Sequence, residues 1–305
     1  MKRLANTMAV ILIIIALVGC NKNIESTTES TTTKTIEETS TTTEEVTTTT
    51  KEVTTTTIEV TTTTQSITTT NNVISHTQST ILTGTIWETD VHYFESSVSG
   101  PRVAIVGGIH GDEIAGWNAA LELLNREDFI GSIMIIPKAN KLACEAVQRY
   151  PGLGKDYNGY TYSDLNRTFP GKEDGTVTEK ISYAIANAVK DFNPDHVIDL
   201  HESLHSYSYG SKYIGNQIIY GNSYSNLIGY DIVDDFNNRY LIEGEDRFCV
   251  DTYAPGGSFN SYFGALYPKS CVFTIETNRE LVFTRRVEQQ LQLLDCMFNY
   301  FWYEI

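Results

Sequence analysis

Apolar positions divide the chain into three regimes. Met8 to Val18 forms one short apolar run behind Lys2 and Arg3. From Asn21 to about Thr77 apolar side chains become sparse and threonine dominates. From Gln78 onward, β-branched runs alternate with stretches of helical spacing. Val103 to Val106 predicts a short buried strand, ended by Gly107 and Gly108. Ala115 to Leu124 predicts a helix, with Trp117, Leu121 and Leu124 among its apolar positions. Ser79 to Tyr93 reads as a strand leading into this region, and Ser132 to Ile136, closed by Pro137, as a second buried strand. Thr178 to Lys190 places Ile181, Ala184, Ile185 and Val189 on one side of a helix. Asn193-Pro194 then turns the chain into a strand at His196 to Leu200. Cys271 to Ile275 predicts a further strand and Arg285 to Tyr300 a closing helix. This alternation predicts an α/β fold, a mixed, mostly parallel sheet with helices on both faces. The segment His205 to Tyr230, rich in Tyr, Ser, Gly and Asn, predicts a polar loop or hairpin, or an aromatic wall beside a site.

The first twenty residues have the layout of a secretory signal: a basic start, a short apolar core and a small residue at the cut. The apolar run is short for a spanning helix. Leu17-Val18-Gly19-Cys20 resembles the lipobox of bacterial lipoproteins. That resemblance implies diacylglycerol on Cys20, cleavage before it, and a mature chain held to the outer face of the cytoplasmic membrane. An uncleaved anchor, or plain secretion with Cys20 incidental, are the competing readings. Residues 21–77 carry a seven-residue repeat, EVTTTTK, EVTTTTI, EVTTTTQ, from Glu45 to Gln65. Only its Val position is regularly apolar, so no coiled-coil seam forms. With few apolar side chains and no aromatics the tract predicts a disordered stalk, which as a flexible coil spans about 40 Å. Residues 78–305 remain as one globular domain.

Charge narrows the class. Lys2 and Arg3 add two positive charges and the tract, with three lysines and eight glutamates, five negative ones, so residues 78–305 carry −13 of the net −16. An acidic domain does not suit nucleic acid or an anionic membrane surface. Cys144, Cys249, Cys271 and Cys296 are scattered, with no paired spacing that suggests a structural zinc site. In an exported chain they allow two disulfides, whose pairing spacing does not reveal.

The polar residues beside the strand ends carry the chemistry. In VAIVGGIHGDE, His110 and Glu113 follow a strand, at the carboxyl end where open α/β sheets place their ligand sites. An imidazole and a carboxylate three residues apart can grip one divalent metal and leave room for a third ligand and a water. Asp199-Leu200-His201-Glu202 closes the strand HVIDL, and Glu276 closes the strand CVFTI. Asp164-Leu165-Asn166-Arg167 lies between Glu113 and Asp199, within DLNRTFPG. Taken singly, each has a bland alternative in a capped turn, a hydrogen-bonded structural histidine or a surface ion pair.

Together, GGIHGDE, PKAN (Pro137 to Asn140), DLNRTFPG and DLHES resemble the succinylglutamate desuccinylase/aspartoacylase family, part of the wider zinc carboxypeptidase superfamily. The resemblance covers about residues 100–280, with the motifs in the family's order. It implies a hydrolase with one zinc ion per chain, held by His110, Glu113 and His201, with Glu276 as general base and acid. It also implies Asn166 and Arg167 as binders of a substrate carboxylate, and Asp164 as the partner of His110. Two imidazoles and one carboxylate leave zinc an open position, which is the catalytic arrangement. Arg149 stands where carboxypeptidases carry an arginine that steadies the oxyanion, its alternative being an exposed helix residue. TYAPGGSF (Thr252 to Phe259) resembles the carboxypeptidase stretch with a capping tyrosine. Tyr253 then fills that role, although one residue fewer separates it from the glycines.

These readings predict hydrolysis of an amide bond next to a carboxylate. Export and a stalk favour peptides as substrates, cleaved in the manner of a carboxypeptidase. The alternative is deacylation of N-acyl amino acids, which the motifs most resemble. A non-enzymatic surface binding protein is the lesser reading, since its mark, loss of a ligand or of the base, is absent from the sequence.

Overall fold

The computed structural model describes residues 72–151, 155–207, 214–251 and 254–303. The chain separates into residues 1–66, which lie outside the described ones, and a unit of residues 67–305. The expected signal peptide, Cys20 and most of the threonine-rich tract therefore lie outside the described residues, as does Tyr253.

The described part opens with strands β1 (Ile74–Ile81), β2 (Thr89–Ser96) and β3 (Arg102–Gly107). Helix α1 (Ile114–Leu123), strand β4 (Ser132–Ile136) and helix α2 (Lys141–Ala146) follow. A small hairpin, β5 (Asp156–Tyr157) and β6 (Tyr160–Thr161), precedes α3 (Val177–Phe192) and β7 (His196–Ser203). The chain continues through β8 (Gln217–Tyr220), α4 (Ser223–Arg239), β9 (Cys249–Asp251) and α5 (Phe259–Leu266). Strand β10 (Val272–Asn278) and helix α6 (Phe283–Tyr303) close it.

Eight strands form one sheet in the order β1-β2-β4-β3-β7-β10-β8-β9. The central four, β4, β3, β7 and β10, run parallel. β2 joins β4 antiparallel on one flank, and β8 joins β10 antiparallel on the other. Helices cover both faces, which is why the central strands are continuous apolar runs and not alternating ones. On one face Ile105, Leu200 and Ile275 pack with Ala119 of α1, Phe236 of α4 and Leu294 of α6. On the other, Val106 and Val197 pack with Ile185 of α3 and Phe263 of α5. Helix α3 starts at a reciprocal capping box between Thr176 and Glu179 and ends at Asn193, whose φ of 51° stops the helix. The α/β class and its mostly parallel sheet stand as expected.

Three expectations change. The sheet starts at Ile74, inside the tract assigned to residues 21–77, because β1 pairs residue by residue with β2 from Ile74↔Ser96 to Ile81↔Thr89. The single strand expected over Ser79 to Tyr93 is thus the turn of a hairpin with parts of both its strands. The polar loop expected over His205 to Tyr230 contains β8 and the first half of α4. That helix hides in a polar sequence, since Ile228, Ile232, Val233 and Phe236 give it a narrow buried apolar stripe, and Asn222 caps it through the Ser225 N–H. The four cysteines are free thiols, Cys144, Cys271 and Cys296 buried and Cys249 exposed.

Candidate functional site

The carboxyl ends of β3, β7 and β10 lie side by side, and each delivers one part of a single cluster. After β3 the chain turns through Gly108, at φ 74°, a left-handed conformation suited to glycine. Gly111 is pressed so close to α2 that an added Cβ would sit 2.0 Å from the carbonyl carbon of Ala143. This packing fixes the turn that presents His110 and Glu113. Glu113 occupies the N-cap position of α1 but makes no cap bond with its side chain, which is committed elsewhere. β7 alternates, so Asp199 and His201 point to the same face. The parallel pairing of β7 with β10 sets Glu276 opposite His201 and Thr274 opposite Asp199.

His110, Glu113 and His201 are all buried, and one ligand atom from each lies within 4.8 Å of the other two. His110 Nδ1 is 2.7 Å from Glu113 Oε1, and His201 Nδ1 is 2.5 Å from Glu113 Oε2. The outward nitrogens are tied as well: His110 Nε2 to Asp164 Oδ1 at 2.9 Å, His201 Nε2 to Asp199 Oδ2 at 2.9 Å. Burial alone would push both imidazole pKa values down and the Glu113 value up. The carboxylates around the rings outweigh that and raise both histidines, while the two imidazoles hold Glu113 well below its ordinary range. Asp164 is likewise drawn down, against its burial, by His110 and then Arg149.

Glu276 stands apart. It lines the same cavity and receives no hydrogen bond among the described residues. Burial pushes its carboxyl up to about 8, with His201 pulling the other way. Arg149 reaches the cluster from beyond α2, its Nη2 donating to Asp164 Oδ2 at 2.8 Å and its Nη1 to Glu113 Oε1 at 3.3 Å. It is therefore not a free surface residue. Asn166 and Arg167 sit in a short 3-10 turn, Leu165–Arg167, capped by the Asp164 side chain. The Asn166 oxygen accepts the Phe259 N–H that opens α5, and its amide nitrogen lies 3.3 Å from His201 Nε2. Arg167 is exposed at the rim, one guanidinium nitrogen donating to the Asn166 carbonyl at 2.6 Å.

A cavity of about 560 Å³ joins these groups, lined among others by His110, Glu113, Arg149, Arg167, His201 and Glu276. Sequence reasoning missed several residues in and around this cavity. Asp199 was legible as an acid two positions before His201 on one strand face. Arg279, which donates to Asp112 Oδ2 at 3.2 Å and lies 3.6 Å from Glu113, had no local signal. Nor had Thr274 and Asn260, bonded to each other at 2.9 Å, which reach the cavity wall only through the β10 register and the placement of α5.

The donor set fits a divalent cation such as zinc. Two imidazoles turn Nδ1 inward beside a carboxylate, and each gives Nε2 to an acidic partner, which fixes tautomer and ring orientation as metal-ligating histidines need. The raised histidines and depressed glutamate are what such a cluster shows when protons stand where a cation would.

Residues 99–213 match the succinylglutamate desuccinylase/aspartoacylase catalytic domain. The family resemblance drawn from the motifs is thereby supported, and all four motifs fall inside the match. Glu276 falls beyond it, so its place in the site comes from the β10 register. An N-alpha-acetyl-L-2,4-diaminobutyric acid deacetylase of Halomonas elongata is 38% identical over 105 residues, 33% of this chain and 28% of that relative. The chain therefore spans little more than a quarter of the curated relative it matches. Among solved structures, a product-bound cell shape determinant protein of Helicobacter pylori superposes with a TM-score of 0.56 at 22% identity, over 66% of this chain and 51% of that one. Another structure of that protein describes it as a D,L-carboxypeptidase bound to mDAP. A succinylglutamate desuccinylase from Silicibacter gives a TM-score of 0.54 at 19% identity, over 70% of this chain and 60% of that one. These likenesses establish the shared fold.

Proposed function

We propose that the chain is a zinc-dependent hydrolase that cleaves an amide bond adjacent to a carboxylate, acting on peptides in the manner of a carboxypeptidase. The observation that carries this reading is the β7–β10 register, which sets an unbonded carboxylate, Glu276, beside the His110–Glu113–His201 cluster. Zinc held there supplies a Lewis acid that acidifies water and polarises a carbonyl. Glu276 takes a proton from the attacking water and returns it to the leaving amine. Its burial without hydrogen-bond donors keeps it basic enough for that exchange. Asp164 and Asp199 hold the two imidazoles in orientation. Arg149 steadies negative charge on the scissile carbonyl oxygen. Arg167, with Asn166, grips the substrate carboxylate, for which a guanidinium fork is suited.

Deacylation of N-acyl amino acids is the second reading, favoured by the 38% identity to a deacetylase over 105 residues. A zinc-loaded preparation assayed on short peptides with free carboxyl ends and on N-acyl amino acids separates the two. Release of a C-terminal amino acid supports the first; release of the acyl acid alone replaces it with the second. We further propose that Cys20 is lipidated and holds the enzyme to the outer face of the cytoplasmic membrane. Cys20→Ser then moves the protein from the membrane fraction to the medium or periplasm, and persistence in the membrane fraction refutes the lipid anchor.

A further inference from the structure

Helix α6 carries a buried polar patch that the proposed chemistry does not use. Strand β7 turns Ile198, Leu200 and Glu202 away from the site, and β10 turns Phe273, Ile275 and Thr277 the same way. In both rows the apolar side chains give way to a polar one at the position that follows His201 or Glu276. Helix α6 changes in step. Its later turns bury Leu293, Leu294, Met297 and Phe298, while its early turns bury, beside Val287, the polar Arg285, Arg286, Gln289 and Gln290.

The bonds of this patch run toward the ligands. Arg286 Nη1 donates to Glu202 Oε1 at 2.6 Å, and Glu202 Oε2 accepts the Ala115 N–H at 2.9 Å, in the first turn of α1 and two residues past Glu113. The Glu202 N–H donates to Glu113 Oε2 at 3.0 Å. Gln290 Nε2 donates to the His201 carbonyl at 2.7 Å and reaches Thr277 Oγ1 at 3.2 Å. Meanwhile Arg286 Nε, Gln289 Oε1 and Gln290 Oε1 are buried with no partner among the described residues.

A patch made only for stability would not look like this. Buried ion pairs with unsatisfied neighbours are often matched or bettered by apolar side chains of similar volume, and the rest of α6 already uses such side chains. We infer that α6 is a positioning element for the metal centre. Gln290 holds His201 through its carbonyl, and the Arg286–Glu202 pair holds the start of α1 and so Glu113. The inference rests on the metal-hydrolase reading of the site. Outer partners of this kind change metal affinity by about 10- to 100-fold when removed.

The test is zinc affinity, measured by competition with a chromophoric chelator, alongside thermal melting of the zinc-free protein. The chains compared are the unaltered protein, Gln290→Leu, and the double variant Glu202→Leu/Arg286→Met. The expected result is zinc affinity lowered about 10- to 100-fold in both variants, measured where the zinc-free chains are folded, a loss that the modest fall in melting temperature from the bonds removed does not account for. Unchanged affinity with a lowered melting temperature overturns the inference and makes the patch structural. If the double variant does not fold, Gln290→Leu, which removes a single side chain's bonds, decides by the same two readings. Failure of the unaltered chain to bind zinc overturns the reading of the site and this inference with it. Equal tight binding by all three chains overturns this inference alone.

Discussion

The turn that carries Glu113 and the strand end that carries Glu276 place the same side chain in opposite surroundings. Around Glu113, two imidazoles, Arg149 and the Glu202 N–H converge, and the carboxyl is held far down in the anionic form. Around Glu276 no donor converges among the described residues, and burial lifts the carboxyl to about 8. Residue type sets neither role. A glutamate ringed by donors is a fixed anion fit to hold a cation, whereas a half-buried one given no donor among the described residues is a proton acceptor in waiting.

That contrast breaks most sharply at the ring of donors. His201→Ala, or chelation of the native protein, is expected to abolish stoichiometric zinc and with it all turnover, as metal analysis and a peptide assay would show. Hydrolysis that survives complete metal removal would sink the ligand assignment. Next in size is Glu276→Gln, which keeps zinc but lowers kcat by about 10²- to 10⁴-fold, the range for loss of a general acid–base. A variant that loses zinc in the same measure as activity would move Glu276 into the ligand set.

A smaller effect separates the two carboxylates by pH. In the zinc-free protein Glu276 keeps its proton up to about 8, while its ordinary value is 4.5. Between those values the folded chain binds more protons than the unfolded one, so the Glu276 contribution to stability falls as pH rises through that window. Glu276→Gln therefore melts with the unaltered zinc-free chain near the low end of the window and several degrees above it beyond the high end. A gap that closes with rising pH would contradict the raised carboxyl. Smallest is Arg167→Ala at the exposed rim. Loss of one charge-assisted bond to a substrate carboxylate raises KM about ten- to a hundredfold and leaves zinc content unchanged, by steady-state kinetics and metal analysis.

The sequence announces the central strands because both their faces are covered, so Val103 to Val106 and Ser132 to Ile136 read as unbroken apolar runs. It also announces His110, Glu113 and His201, whose motifs close apolar strands, and Asp164 through the DLNR motif. It is nearly silent on α4, whose four buried apolar side chains sit in a polar background, and on β1, which extends into the threonine-rich tract. Arg279, Thr274 and Asn260 enter the cavity through strand register and helix placement, relations between segments far apart along the chain. No local pattern encodes them. Asp199 lies between the two cases: its spacing to His201 was visible, but its bond to the outward ring nitrogen became clear only once the strand faces were fixed.

Gly111 leaves no gap between the ligand turn and α2, so the two are clamped into one rigid piece. Helix α2 leads within three residues to Arg149, which bridges Asp164 and Glu113. A single methyl at position 111 would thus act as a wedge, prying the arginine off its two acids while every chemically active side chain stayed unaltered. The narrowest tolerance in the site belongs to the residue that contributes no side chain to it.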